Sequence, residues 1–445
     1  MTEDRPHSAK IWDARELWTR DRIAAHQLQR LTAQLAYVEE HSTFYRARFA
    51  DIGFKPCDFA SLDDLRRLPI TRKADYVAAV ELDLPWGSHL AAPLCDVRRA
   101  HYSSGTTSKP VPNCWTAPDL DRWTDLYARG GYAQGVRERD IFQNLFSMSW
   151  FVGGLGAMAS YAKIGALCIP GGSVDSERQV RTMFDYGTTA VCATPSFAAH
   201  LAETAAAMGL DLRDSKVESL ALGGEPGAQV PATRAMIEDR WGAKAYDAYG
   251  SLEFNPIAWE CEAQAGGHLC EDFAIAEILD ADTEAPVPDG QPGVLVMTHL
   301  DKQAVPLVRW WTGDVVVRDS RPCACGRTHA RLPGGVRGRA DDMMIVRGVN
   351  VFPSAVEDVV RSMPGLSGEY LIVLDADTTD AKTGFLTSLK IRVERTRTAP
   401  PDIAERISAA LRKSLNVRVI VEVLDEGVLP RTTHKAKRIL REKKQ

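Results

Sequence analysis

Ala190-Val-Cys-Ala-Thr194 is a short apolar run, residues 198–208 are alanine-rich with helical spacing, and Val217-Glu-Ser-Leu-Ala-Leu222 is a second apolar run stopped by Gly223 and Gly224. Strand, helix, strand and glycine turn in that order is the repeat of an α/β layer, which carries ligand-binding turns at its strand ends. Upstream, residues 12–75 read as helical, with Leu28, Leu31 and Leu35 recurring at helical spacing. The uncharged stretch 141–162 is long enough to raise the question of a membrane. It carries Gln143, Asn144, Gly153, Gly154 and Gly156, so it reads as the entry to a buried helix and no span is expected. Downstream, 294–298 and 306–309 read as short β elements ahead of Trp311-Thr-Gly-Asp314, and 337–342 as a polar break. Beyond it, strands at 343–346, 370–374, 388–393 and 417–423 and helices at 353–363 and 401–415 make a unit of about 105 residues, an ordinary domain size. The expected fold is α/β, with a large N-terminal region of several α/β subdomains (1–338) and a small mobile C-terminal α+β domain (339–445).

A chain of 445 residues exceeds what one hydrophobic core organises, in keeping with two domains or more. Basic residues number 54 and acidic residues 59, a net charge of −5 that gives no general pull towards nucleic acid. A polyanionic ligand therefore needs a local pocket. Nine cysteines are too sparse for a disulfide scaffold and read as reduced thiols of a cytoplasmic protein. The opening Met1-Thr-Glu-Asp-Arg5 lacks the basic-then-apolar layout of an export signal.

One such pocket is suggested by Ser103-Ser104-Gly105-Thr106-Thr107-Ser108-Lys109-Pro110. Small residues let backbone N–H groups face an anion, hydroxyls add donors and a lysine adds charge, which suits a triphosphate. It is not a Walker loop, because no Gly-Lys-Ser/Thr closes a four-residue spacer. Taken alone, a solvated Ser/Thr turn would look the same.

With five further elements in chain order, the loop resembles the adenylate-forming acyl-CoA ligase superfamily, and more narrowly its phenylacetate–CoA ligase branch. That branch reads Ser-Ser-Gly-Thr-Thr-Gly-Lys-Pro here, with Ser108 replacing the second glycine. The resemblance implies that Ser103, Ser104, Gly105, Thr106, Thr107 and Lys109 bind ATP, Thr106 with a catalytic part. Gly223-Gly224-Glu225-Pro226 is similar to the Gly-Ala-Glu-Pro turn beside adenine and the aromatic acid; Gly227 follows where tryptophan is usual, leaving room. Asp247-Ala248-Tyr249-Gly250-Ser251-Leu252-Glu253 resembles Tyr-Gly-Leu-Ser/Thr-Glu with hydroxyl and leucine exchanged. Asp247, Ala248 and Ser251 would line the nucleotide, Tyr249 would stack on adenine, Gly250 would admit close approach and Glu253 would ligate Mg²⁺.

Arg309-Trp310-Trp311-Thr312-Gly313-Asp314 resembles Arg-Tyr-Arg-Thr-Gly-Asp, whose carboxylate can accept from both ribose hydroxyls. Residues 338–353 follow the branch almost residue for residue. This implies that Arg339 reaches ATP with a catalytic part, Asp341 is the hinge and Gly348 lines the coenzyme A channel. Near the C-terminus, Pro430-Arg-Thr-Thr-His434-Lys435-Ala-Lys437-Arg438 resembles Pro-Arg-Ser-x-Gly-Lys-Ala-x-Arg. Lys435 is then the adenylation lysine, with Lys437 as a rival. The acid pocket is expected at Phe146, Trp150 and Phe151 with Gly223, Gly250 and Pro256.

Cys261 and His268, with Cys323 and Cys325 further on, offer three thiolates and an imidazole, a tetrahedral soft-ligand set. Some members of the branch carry a similar structural zinc. Cys270 and His329 are substitutes, and free thiols are the plain alternative.

The activity implied is ligation of an aromatic carboxylic acid to coenzyme A with ATP and Mg²⁺, through an acyl-adenylate. Adenylation with transfer to a carrier-protein thiol or an amine is one alternative, and a catalytically silent nucleotide-binding protein another. Small molecules are the expected partners, without nucleic acid or membrane; a homodimer is compatible with the reading.

Overall fold

The computed structural model of the chain describes residues 10–102, 111–340, 343–347, 349–380, 385–429 and 438–441. Ser103, Ser104, Gly105, Thr106, Thr107, Lys109, Asp341, Gly348, Lys435 and Lys437 lie outside the described residues.

Five strands pair in parallel, in the order Lys244–Tyr249, Ser219–Gly223, Ala190–Ala193, Ile141–Asn144 and Leu167–Pro170. Ser219–Gly223 and Ala190–Ala193 are buried along their whole length, which is why they read as unbroken apolar runs. Helices Pro195–Ala207 and Pro231–Trp241 cross over between them, and Trp241, Leu201 and Ile237 fill the core beneath. The sheet continues antiparallel through Ala258–Trp259, Gly267–Leu269 and Arg331–Leu332.

A second, antiparallel sheet is ordered Ala274–Leu279, Pro292–His299, Trp310–Val317 and Gly338–Arg339. A third carries Val419–Leu424, Leu389–Arg395, Leu366–Leu374 and Ile439–Arg441, covered by helices Pro353–Arg361 and Ile403–Leu415 around their own core of Ile372, Ile391, Ile407 and Leu411. The α/β class is therefore as expected, with a sheet-and-helix unit at the C-terminal end.

Three local readings are corrected. Residues 306–309 form no strand: Arg309 sits at φ 48, and its guanidinium is anchored on Glu277 at 3.0 Å and on the Leu68 carbonyl at 2.7 Å. The strand begins at Trp310 and contains Thr312, Gly313 and Asp314. The polar break at 337–342 contains strand Gly338–Arg339, because Gly338 and Arg339 pair with Val315 and Asp314. The uncharged stretch is strand Ile141–Asn144, a connection and helix Val152–Ile164, only 13 residues long. Among the described residues no helix is long and apolar enough to cross a membrane.

Candidate active site and metal centre

Three strands bring Tyr249, Asp314 and Arg339 together. Tyr249 ends Lys244–Tyr249, and its hydroxyl donates to Asp314 Oδ2. Arg339 Nη1 reaches Asp314 Oδ1 at 3.3 Å and the Thr312 carbonyl at 3.2 Å, while Thr312 Oγ1 accepts from Asp314 N at 3.0 Å. Burial first, and the Asp314 charge second, hold the Tyr249 phenol well above its ordinary range, so it stays a donor. Gly313 is a required glycine: φ is +77, and a Cβ there would lie 2.6 Å from Arg339 Nη2. The result is an oriented carboxylate beside an aromatic ring and a guanidinium, suited to a diol next to a flat base.

The neighbouring turns close this region. A Cβ on Gly223 would meet the Ala248 carbonyl at 2.2 Å. A Cβ on Gly224, at φ +85, would lie 3.6 Å from Thr194 Cγ2 and 3.9 Å from Phe146 Cε1. Glu225 Oε1 accepts from Ser196 N at 2.8 Å and so supports the start of helix Pro195–Ala207. The room expected at Gly227 is not there, since Pro195 Cβ lies 2.5 Å from where a Cβ would stand. Ser251 Oγ accepts from Phe254 N at 3.0 Å, using the displaced hydroxyl to close its own turn. A Cβ on Gly250 would meet Asn255 Oδ1 at 2.6 Å, and Pro256 follows that residue.

Asp247 is buried near Glu260, whose Oε2 accepts from Asp247 N at 2.8 Å and from Arg234 at 2.6 Å. Burial, reinforced by the Glu260 charge and only partly offset by Arg234, pushes the Asp247 carboxyl up to about 7.

Of the aromatics expected around the acid, Phe146 packs beside Gly153 and Gly224. Trp150 is 62% exposed and Phe151 46% exposed, so these two rings do not close a pocket with it. Trp150 lies against Tyr102, 5.3 Å between ring centroids.

Glu253 has a partner the sequence did not disclose. Lys73, first residue of helix Lys73–Leu82, places Nζ 2.8 Å from Glu253 Oε1 and 5.6 and 5.9 Å from the Tyr76 and Trp310 ring centroids. Among the described residues no donor reaches Glu253 Oε2, which leaves that oxygen available to a cation. One signal was present: a lysine opening a helix sits against the helix dipole and needs an external partner.

Cys261, His268, Cys323 and Cys325 converge, with their ligand atoms within 4.8 Å of one another. Cys261 Sγ and Cys323 Sγ are 3.9 Å apart, and Cys325 Sγ lies 3.6 Å from His268 Nε2. Tetrahedral bonds of about 2.3 Å to sulfur and 2.0 Å to nitrogen give edges of about 3.8 and 3.5 Å, so the four fit zinc. His268 Nδ1 faces the His329 carbonyl at 3.4 Å, which leaves Nε2 for the metal. The hydrogen bond from Cys261, and then one from His268, draw the Cys325 thiol far down. Cys270 and His329 stand outside the set, and His329 bridges the Leu269 and Arg15 carbonyls at 3.0 Å each.

Residues 79–299 match the AMP-binding enzyme family, and 348–443 match the AMP-binding enzyme C-terminal domain. The chain is 34% identical to the phenylacetate-coenzyme A ligase of Thermus thermophilus, over 94% of this chain and 96% of that one. It is 32% identical to that of Escherichia coli, over 94% of both. Among solved structures, 2-hydroxyisobutyryl-CoA ligase in its postadenylation state superposes with a TM-score of 0.91 at 29% identity, covering 99% of this chain and 94% of that one. The same ligase in its thioesterification state, with coenzyme A, gives 0.74 at 30% identity and the same coverage.

Proposed function

The chain belongs to the phenylacetate-coenzyme A ligase family, and on that premise we propose that it joins an aromatic carboxylic acid, arylacetic or aryl, to coenzyme A. ATP is consumed, and AMP and pyrophosphate are released. One carboxylate oxygen attacks the α-phosphorus, the bond from that phosphorus to the bridging oxygen breaks, and pyrophosphate leaves. The coenzyme A thiol gives its proton to solvent and its sulfur attacks the carbonyl carbon of the mixed anhydride; the bond from that carbon to the bridging oxygen breaks, and AMP departs carrying the acid's oxygen.

In this reading Asp314 accepts from the ribose hydroxyls, with Tyr249 and Arg339 fixing its carboxylate, and Tyr249 faces the base. Gly223, Gly224 and Gly250 let their turns pack closely where adenylate and acid meet, with Phe146 against the ring of the acid. Ser103, Ser104, Gly105, Thr106, Thr107 and Lys109 hold phosphates, and Lys435 brings a cation to the reacting oxygens; these roles rest on the family motifs alone. Lys73 adds a second cation beside Glu253. Magnesium, bound with ATP, neutralises phosphate charge, and Glu253 is the residue that would hold it. Two anions must meet, so positioning and charge compensation carry the rate. Residues 339–445 swing about Asp341 between the two steps, with Gly348 lining the thiol path. Cys261, His268, Cys323 and Cys325 hold a structural zinc; their closed shell leaves no catalytic position.

The observation that carries the reading is the Asp314 carboxylate gripped from two further strands by Tyr249 and Arg339. Release of AMP from ATP over a panel of aromatic and short aliphatic acids, with and without coenzyme A, tests it. AMP and thioester with aromatic acids are expected. Equal turnover of short aliphatic acids would remove the aromatic assignment, and AMP without thioester would point to another acceptor.

A further inference from the structure

Helix Pro231–Trp241 begins without a cap of its own. Its N-cap residue is Val230, which makes no side-chain cap, and its first turn holds no acidic residue. Helices satisfy their first N–H groups with a side-chain oxygen, and negative charge there is favourable. Here the oxygen comes from helix Pro353–Arg361, more than a hundred residues on: Asp358 Oδ1 accepts from Ala232 N at 3.2 Å. Beside it, Glu357 Oε1 accepts from Thr233 Oγ1 at 3.0 Å, with Arg361 Nε 2.9 Å from the same oxygen. Thr233 and Glu357 are buried, so water does not compete for the bond between them; Asp358 is half-buried. Ser354 also donates to the Arg337 carbonyl, and a cleft of about 260 Å³ between Gln229, Pro231, Val336 and Phe352 runs alongside.

The two helices belong to different cores. Val356 and Val360 pack under the C-terminal sheet, whereas Ile237 and Trp241 pack under the parallel sheet. Whole-chain similarity to one ligase drops from 0.91 in its postadenylation structure to 0.74 in its thioesterification structure, at nearly equal identity. The arrangement with the cap in place is thus the first of these.

We propose that Asp358, Glu357 and Thr233 are positioning residues forming a latch that holds the C-terminal unit in this orientation, and that its release limits passage of a bound acyl-adenylate to the thiol. The proposal rests on the ligase reading above. Its test uses variants on both sides of the contact, Asp358→Ala and Thr233→Val, with Asp358→Asn keeping an acceptor oxygen.

The full chain is first loaded with acid and MgATP, coenzyme A is then added, and thioester is followed over a single turnover. Loss of one such bond should raise the transfer rate about tenfold, the double variant should be at least as fast as either single one, and Asp358→Asn should stay near the parent. KM for ATP and acid should not move. Unchanged transfer in both single variants overturns the latch. A second measurement needs no turnover: hydrogen exchange at residues 231–235 should quicken in Asp358→Ala but not in Asp358→Asn. Equal exchange overturns the latch even with an inert enzyme, whereas a parent chain that adenylates nothing defeats the ligase reading instead.

Discussion

Asp247 lies buried with Glu260 as its nearest like charge, and its carboxyl is pushed up to about 7. A carboxyl raised in the fold above its ordinary value near 3.8 contributes stability below that value and loses it as pH rises through about 7. Stability should therefore decline from about pH 4 to pH 7, and Asp247→Asn should flatten the slope and melt higher than the parent at pH 8. Thermal melts of both proteins across that range check it; a steeper slope in the variant would contradict the assignment. Asp314 is held differently, by the Tyr249 hydroxyl and the Arg339 guanidinium. Asp314→Ala should weaken ATP binding by about a hundredfold in calorimetry, since charge-assisted hydrogen bonds to the ribose would go. Asp247 and Asp314 could be singled out because they stand in short motifs whose spacing survives without structure; the burial and the Glu260 charge that raise the Asp247 carboxyl could not. Nor could Lys73: 180 residues separate it from Glu253, and nothing local in either segment names the other. Gly227 misled for a related reason, since a missing side chain says nothing about the Pro195 that fills its place.

The loop 323–329 does more than present two thiols. Arg327 Nε donates to Glu16 Oε2 at 2.5 Å and Arg327 Nη2 to the Lys10 carbonyl at 2.7 Å. Thr328 N donates to the Glu16 carbonyl at 3.0 Å, and His329 Nε2 faces the Arg15 carbonyl at 3.0 Å. Residues 10–18 are thus strapped to the loop that carries Cys323 and Cys325. If zinc fills the tetrad as proposed, a chelator should speed hydrogen exchange in 10–18 and 323–329 about tenfold or more, leaving 219–249 protected, because the metal would fix the loop. Equal exchange with and without chelator would show that the strap needs no metal. At this scale the four side chains that converge could be read from Cys-x-Cys and one upstream Cys/His pair. The strap could not, because carbonyl acceptors leave no mark on a sequence. The same limit applies to strands: Ile439–Arg441 joins the C-terminal sheet in parallel beside Leu366–Leu374, a pairing set by long-range packing and not by its own three residues.

Across the whole molecule, a bidentate ion pair holds distant parts of the chain. Arg129, on helix Ala117–Ala133, meets Asp272 at 2.8 and 3.0 Å, both groups buried. Asp13 and Arg15 of the N-terminal strap lie 3.5 and 3.4 Å from this pair. Asp272→Ala would leave a buried guanidinium short of its counter-charge, and should cost about 3–5 kcal/mol in denaturant unfolding. A loss under about 1 kcal/mol would mean that Asp13 alone suffices. The alternation of strands, helices and glycine turns announced the α/β class, whereas the order of the sheets and the cap that Asp358 lends to another helix emerged only in three dimensions. The central claim is that an oxygen of the acid becomes an oxygen of AMP. Supplying phenylacetate with both carboxyl oxygens as ¹⁸O, together with MgATP and coenzyme A, and weighing the products by mass spectrometry tests this directly. AMP with one heavy oxygen, unlabelled pyrophosphate and a thioester retaining the other are expected; AMP without label would contradict the acyl-adenylate route.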